Sequence, residues 1–95
     1  MANDNFQGRR VTPMQLADVY AANSWFQEGY LAAFKDKPYN YDIAHQADAT
    51  AYERGRAFAI WCKTQKLPRA VWRNGQTAKT VRERLVTAIR YRAVI

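Results

Sequence analysis

The sequence predicts an all-α fold: a small helical domain with a central helical hairpin and a basic C-terminal helix. Three observations predict it. Apolar residues recur at helical spacing over residues 13–35, 49–66 and 77–93. Residues that start and stop helices bracket those stretches. No segment alternates polar and apolar residues for long enough to make a strand.

Residues 1–11 hold Asn, Asp, Gln, Gly and two Arg without periodicity, which reads as a flexible N-terminal arm. The single helical domain then covers 12–95. Thr12-Pro13-Met14-Gln15 is a helix start: Thr12 can cap, Pro13 suits the first helical position, and Gln15 completes a capping box. Leu16, Val19, Tyr20, Phe26, Tyr30, Ala33 and Phe34 form a broad apolar stripe. Asn23-Ser24 interrupts it, and Ser24 with Gln27 offers a second capping box. The stretch is one helix over 13–35 or two, 13–22 and 25–35, with the break favoured because Trp25 starts a new face.

Lys35 to Tyr41 is a turn, since Pro38 cannot continue a helix and biases Lys37 away from helical backbone. Thr50 with Glu53 can cap the next helix, or Asp48 can start it earlier. Ala51, Tyr52, Gly55, Phe58, Ala59 and Cys62 share its apolar side, and Leu67-Pro68 ends it. Pro68 to Asn74 reads as a short helical turn with Val71 and Trp72 inward and Gly75 as its C-terminal cap. Thr77 caps a last helix running to about Ala93. There Val81, Leu85, Ala88 and Ile89 make an i, i+4, i+7, i+8 stripe.

Composition narrows the function classes. Ninety-five residues, 48% apolar and 14% aromatic, can bury one modest core. The one cysteine, Cys62, rules out a disulfide framework or a thiolate cluster. No basic start followed by an apolar run suggests a signal peptide, and no stretch approaches the roughly 20 apolar residues of a membrane span. The expected location is a reducing compartment, the cytoplasm, with no membrane partner.

The charge is unevenly placed. Residues 1–61 carry six Lys/Arg against seven Asp/Glu, a net of −1. Residues 62–95 carry nine against Glu83 alone, a net of +8. Such asymmetry points to an anionic partner, of which nucleic acid is the commonest. The bland alternative is a solvated basic surface. Lys63, Lys66, Arg69, Arg73, Lys79, Arg82, Arg84, Arg90 and Arg92 are interleaved with Trp72 and Tyr91. On the last helix Lys79, Arg82 and Arg90 share one flank, with Arg84 and Arg92 nearer the other. That spread suits phosphate contacts across a wide surface. The expected contact residues are these nine cations with Trp72.

Ala70 to Leu85 also has the outline of a helix-turn-helix with Gly75 in the turn. Its first helix is too short, and Gln76 and Arg84 stand where apolar residues are usual. Nor is there a catalytic constellation. His45, the only histidine, lies in a polar linker, and no base and orienting group gather near a nucleophile. Asp42, His45 and Asp48 at spacings of three read as a polar loop and a cap rather than metal ligands. Cys62 faces the apolar stripe and reads as core. The chain is expected to be a binding protein without a cofactor, metal or active site.

A weak internal echo remains. Phe26-Gln-Glu-Gly29-Tyr30-x-x-Ala33-Phe34 parallels Tyr52-Glu-Arg-Gly55-Arg56-x-x-Ala59-Ile60. Glycine inside a helix costs about 0.5–1 kcal/mol relative to alanine. Two such glycines, each with a small residue one turn later, predict two helices crossing closely at Gly29, Ala33, Gly55 and Ala59.

Gly29-Tyr30, Ala33, Pro38-Tyr39, and Tyr52-x-x-Gly55 with Ala59 resemble the ribosome modulation factor family over about residues 23–62. The resemblance implies a helical hairpin and a ribosomal RNA or ribosomal protein partner. Members of that family are short, basic, helical proteins that bind the bacterial ribosome and silence it. The expected function is therefore association with the ribosome or another RNA-rich assembly, and its modulation. The alternative is a small phage-type inhibitor or accessory protein that docks on a host nucleic-acid-processing enzyme through protein contacts.

Overall fold

The computed structural model describes residues 3–4, 6–7, 11–46, 48–69 and 79–94, without the side chains of 3, 4, 6, 7, 44–46 and 79. Among the described residues there are five helices: α1 (Pro13–Ala22), α2 (Ser24–Phe34), α3 (Tyr41–Gln46), α4 (Ala49–Thr64) and α5 (Lys79–Arg90). Ahead of them β1 (Asn3–Asp4) pairs antiparallel with β2 (Phe6–Gln7), a two-residue contact that the sequence pattern did not suggest. The protein is all-α in its architecture.

The capping box at α1 forms as the sequence implies. Gln15 N donates to Thr12 Oγ1 at 3.2 Å, and Thr12 N donates to Gln15 Oε1 at 2.9 Å. The helix then breaks at Asn23, whose extended backbone (φ −79, ψ 126) closes α1 and opens α2. The second capping box does not form. Asn23 Oδ1, not Ser24, accepts from Trp25 N at 2.8 Å and Phe26 N at 3.3 Å. Gln27 turns its Nε2 to the carbonyl of Ala21, at 2.9 Å. An asparagine side chain satisfies two orphan amide donors here, which removes any need for the serine.

The inward face of α1 also differs from the expected stripe. Val19 is 66% exposed, whereas Ala17 and Ala21 are fully buried. Two small residues one turn apart let α1 lie closely on α5, so the inward face of α1 is the alanine face. On α4 the expected stripe holds at every position: Ala51, Tyr52, Gly55, Phe58, Ala59 and Cys62 are buried. On α5 Val81, Leu85 and Ala88 are buried and Ile89 is partly so.

Asp48 caps α4, its Oδ1 accepting from Ala51 N at 3.1 Å. Before it lies α3, where the sequence suggested only a polar linker. Asn40 starts α3 by accepting from Asp42 N and Ile43 N. Three helices end alike, in a left-handed residue that is not glycine: Asp36 (φ 59), Lys66 (φ 57) and Arg92 (φ 60). Each end closes with an i→i−5 bond, Lys37 N to Ala32 O, Leu67 N to Cys62 O and Ala93 N to Ala88 O. Pro38 and Pro68 follow two residues after the first two of these caps. The last cap stops α5 at Arg90, short of the expected Ala93.

The core is built on α2 and α4. A Cβ on Gly29 would overlap the carbonyl oxygen of Tyr52 and stand 3.0 Å from its carbonyl carbon. A Cβ on Gly55 would overlap the carbonyl oxygen of Phe26 and stand 2.8 Å from its carbonyl carbon. The expected crossing exists, and it is symmetric: each glycine meets the carbonyl of the aromatic residue three before its counterpart. Ala33 and Ala59 are buried beside it.

The pairing of α2 with α4 about Pro38 has a particular sense. Lys63 Nζ donates to Phe34 O at 3.3 Å and pairs with Asp36. An antiparallel pair crossing at these glycines would set Phe34 beside the first turn of α4, roughly 20 Å along the axis from Lys63 at about 1.5 Å per residue. The two helices therefore run the same way, not antiparallel as the expected central hairpin implied. The chain between them doubles back along α4: Arg56 Nη1 donates to Lys37 O, Tyr52 Oη accepts from Asn40 N, and Tyr39 Oη donates to Glu53. The rings of Tyr20, Phe26, Phe58, Tyr30 and Phe34 pack in succession, the first two contacts stacked and the last two tilted, with centroids 5.3–6.3 Å apart.

Candidate nucleic-acid interface

The ten residues expected to contact a partner divide into three groups. Trp72 and Arg73 lie outside the described residues, as does the side chain of Lys79. The expected helical turn over 68–74, the caps at Gly75 and Thr77 and most of the helix-turn-helix outline also fall there. Lys63, Arg82 and Arg84 are held internally. Lys66, Arg69, Arg90 and Arg92 are exposed and form no ion pair among the described residues.

The internal group explains how the basic third is fastened to the rest. Arg82 Nε pairs with Asp18 Oδ1 at 2.8 Å and ties α5 to α1. Arg84, on the other flank, donates Nη1 to Pro68 O at 2.7 Å and ties α5 to the segment after α4. Lys63 joins the C-terminal ends of α2 and α4. These cations stand on the two flanks that the helical wheel gives them. Periodicity shows which flank a residue occupies, but not that a neighbouring helix meets it there.

The exposed group sits at helix ends. Lys66 occupies the left-handed cap of α4, and Arg69 follows Pro68. Arg90 closes α5, and Arg92 occupies its left-handed cap. A helix C-terminus carries partial negative charge, so cations are favoured there for structural reasons as well. Around them Glu83 is the one acidic residue of 62–95. Between Arg90 and Arg92 stands Tyr91, the most exposed of the large apolar side chains described. Residue types pointed to the arginines, but the exposure of the tyrosine is visible only in the fold.

A second surface lies at the proline turn. Lys37 to Asp42 line a shallow cleft of roughly 480 Å³. Tyr41 is exposed and meets Tyr39 edge-on at 4.8 Å, and Tyr39 meets buried Tyr52 at 5.4 Å. The hydrogen bond to the Glu53 carboxylate raises the Tyr39 pKa above its ordinary value. Tyrosines two apart in a proline turn were a sequence signal for this cleft. Its charges are mixed, Lys37 and Arg56 against Asp42 and Glu53.

No cluster of His, Cys, Asp and Glu able to hold a metal ion occurs among the described residues. The side chain of His45 is not among them, so the Asp42–His45–Asp48 spacing lies partly outside. Cys62 is buried, and burial pushes its thiol up to about 11, with the charge of Arg84 acting the other way. A thiol so placed is protonated at neutral pH and is packed as an apolar group. No described helix is long and apolar enough to cross a membrane. The chain matches no protein-family model, no curated protein and no solved structure.

Proposed function

We propose that the chain is a non-enzymatic binding protein that associates with the ribosome or another RNA-rich assembly in the cytoplasm and modulates it. The observation that carries this reading is the set of exposed cations at the helix ends of the basic third that form no ion pair among the described residues. Lys66, Arg69, Arg90 and Arg92 are open to solvent, while Lys63, Arg82 and Arg84 hold the scaffold. Cations so disposed suit phosphate contacts, which set affinity and make it depend on salt. The resemblance of Gly29-Tyr30, Ala33, Pro38-Tyr39 and Tyr52-x-x-Gly55 to the ribosome modulation factor family, at the level of sequence, supports the choice of a ribosomal partner.

A protein-directed reading draws on different residues. Val11, Met14 and Val19 expose apolar surface on and just before α1. An inhibitor or accessory protein of a host nucleic-acid-processing enzyme could dock there. Co-sedimentation with bacterial ribosomes over a salt series separates the two. On the RNA reading the chain pellets with ribosomes at low salt and is released as salt rises. Joint substitution of Lys66, Arg69, Arg90 and Arg92 by Gln abolishes pelleting. A stoichiometric protein complex that survives nuclease and high salt, and that Val19→Asp breaks, would replace that reading with the protein-directed one.

A further inference from the structure

We propose that Tyr91 is a stacking station for an unpaired nucleobase, with Arg90 and Arg92 holding the phosphates beside it, so that the nucleic acid taken by this chain is single-stranded RNA. The proposal rests on the RNA reading above and narrows it to one site and one class of strand.

Four observations carry it. Tyr91 is 76% exposed, which leaves most of its ring uncovered by the fold. Its two neighbours in sequence are exposed arginines. The backbone beneath the ring is anchored. Tyr91 N donates to Thr87 O at 3.0 Å, Arg92 N to Ile89 O at 3.0 Å, and Ala93 N to Ala88 O at 2.9 Å. Ala88 and Val94, on either side, are buried in the core. An anchored backbone fixes the point from which the ring projects, so only the side chain's own rotations are left to be ordered on binding. Finally, the described cations of α5 form no continuous open row, because Arg82 is turned to Asp18 and Arg84 to Pro68 O.

These facts favour a single strand over a duplex. A duplex hides the faces of its bases and is gripped by phosphate contacts along a length of surface. An unpaired strand exposes base faces to aromatic rings and needs cations only at intervals. One uncovered ring flanked in sequence by two exposed arginines meets that need, and the arginines can also contribute stacking and cation–π contact with the bases.

The test is equilibrium binding of an unstructured, fluorescently labelled uridine-rich RNA about a dozen nucleotides long, and of the same sequence annealed to its complement, by the full chain. Wild type is expected to prefer the single strand. Tyr91→Ala should weaken single-strand binding by about 5- to 150-fold, the range for losing one base–aromatic stack, with the salt slope unchanged. Tyr91→Phe should bind within about twofold of wild type, because the stacking face survives. Arg90→Gln and Arg92→Gln should each lower the salt slope by about 0.7. Melting curves should show all four variants folded, since these side chains are exposed. Unchanged single-strand binding by folded Tyr91→Ala, or equal affinity for the duplex, overturns this inference and leaves the RNA reading standing. A wild-type chain that binds neither RNA, and whose partner proves to be a nuclease-resistant protein, overturns both.

Discussion

The Cα of Gly29 lies against the backbone carbonyl of Tyr52, with no room between them for a methyl group. The same is true of Gly55 and Phe26. In an ordinary helix interior, Gly→Ala stabilises by about 0.5–1 kcal/mol. At these two positions the sign should reverse, because the added atom meets backbone that cannot rotate away. Gly29→Ala and Gly55→Ala are each expected to destabilise by at least about 1–3 kcal/mol, the usual cost of overpacking. Thermal and urea melts measure it. Alanine variants as stable as wild type would mean that the helices do not cross here.

Asn23 should matter where Ser24 does not. Its carboxamide oxygen accepts from two amide donors at the start of α2. Asn23→Ala is expected to lose about 0.5–2 kcal/mol, the range for removing a helix cap. Ser24→Ala, at an exposed position without that duty, should change stability by less than about 0.5 kcal/mol. Urea denaturation of the two variants gives the comparison, and a larger loss for Ser24→Ala would restore the serine as the cap.

Arg82 is expected to act on stability rather than on binding. Its pair with Asp18 is half exposed, so the coupling should be small, about 0–1 kcal/mol, and should shrink as salt rises. A double-mutant cycle with Asp18→Asn and Arg82→Gln measures it. RNA affinity of Arg82→Gln should fall less than that of Arg90→Gln. If Arg82→Gln has the larger effect on binding, the division of the cations into scaffold and contact groups is wrong.

Burial of Cys62 sets a pH dependence at the alkaline end. The ordinary thiol pKa is 9.0, and the folded protein raises it to about 11. Below the ordinary value both folded and unfolded chains keep the proton, and the contribution to stability is complete. As pH rises from 9.0 towards 11, the unfolded chain loses the proton while the folded chain holds it. Stability therefore falls through that window, by on the order of 2 kcal/mol at about pH 10.5. Tyrosines and lysines also titrate there, so the informative quantity is a difference. Between about pH 8 and about pH 10.5, wild type should lose more stability than Cys62→Ala, by roughly that amount. Equal losses in urea melts of the two proteins would show that the thiol is not buried.

Much of the fold was legible before any coordinates. The capping box at Thr12, the stop at Pro68, the buried stripe of α4 and the glycine crossing all follow from local chemistry: a side chain satisfying a nearby amide, a ring without an N–H, a period of 3.6, a missing Cβ. Such signals act within a turn or two of their own residue, so the linear order of the chain contains them. The net charge of residues 62–95 is likewise a property of the sequence alone. Periodicity could not show that α2 and α4 run the same way, that Ala17 and Ala21 rather than Val19 face the core, or that Asn40 starts α3. Each depends on which surface another segment covers, and that is settled by packing between residues far apart in sequence. The same reason divides the cations. Nine are equivalent in the sequence, but only the tertiary structure brings Asp18 to Arg82 and Pro68 to Arg84, and only the cap at Arg92 leaves Tyr91 open to solvent.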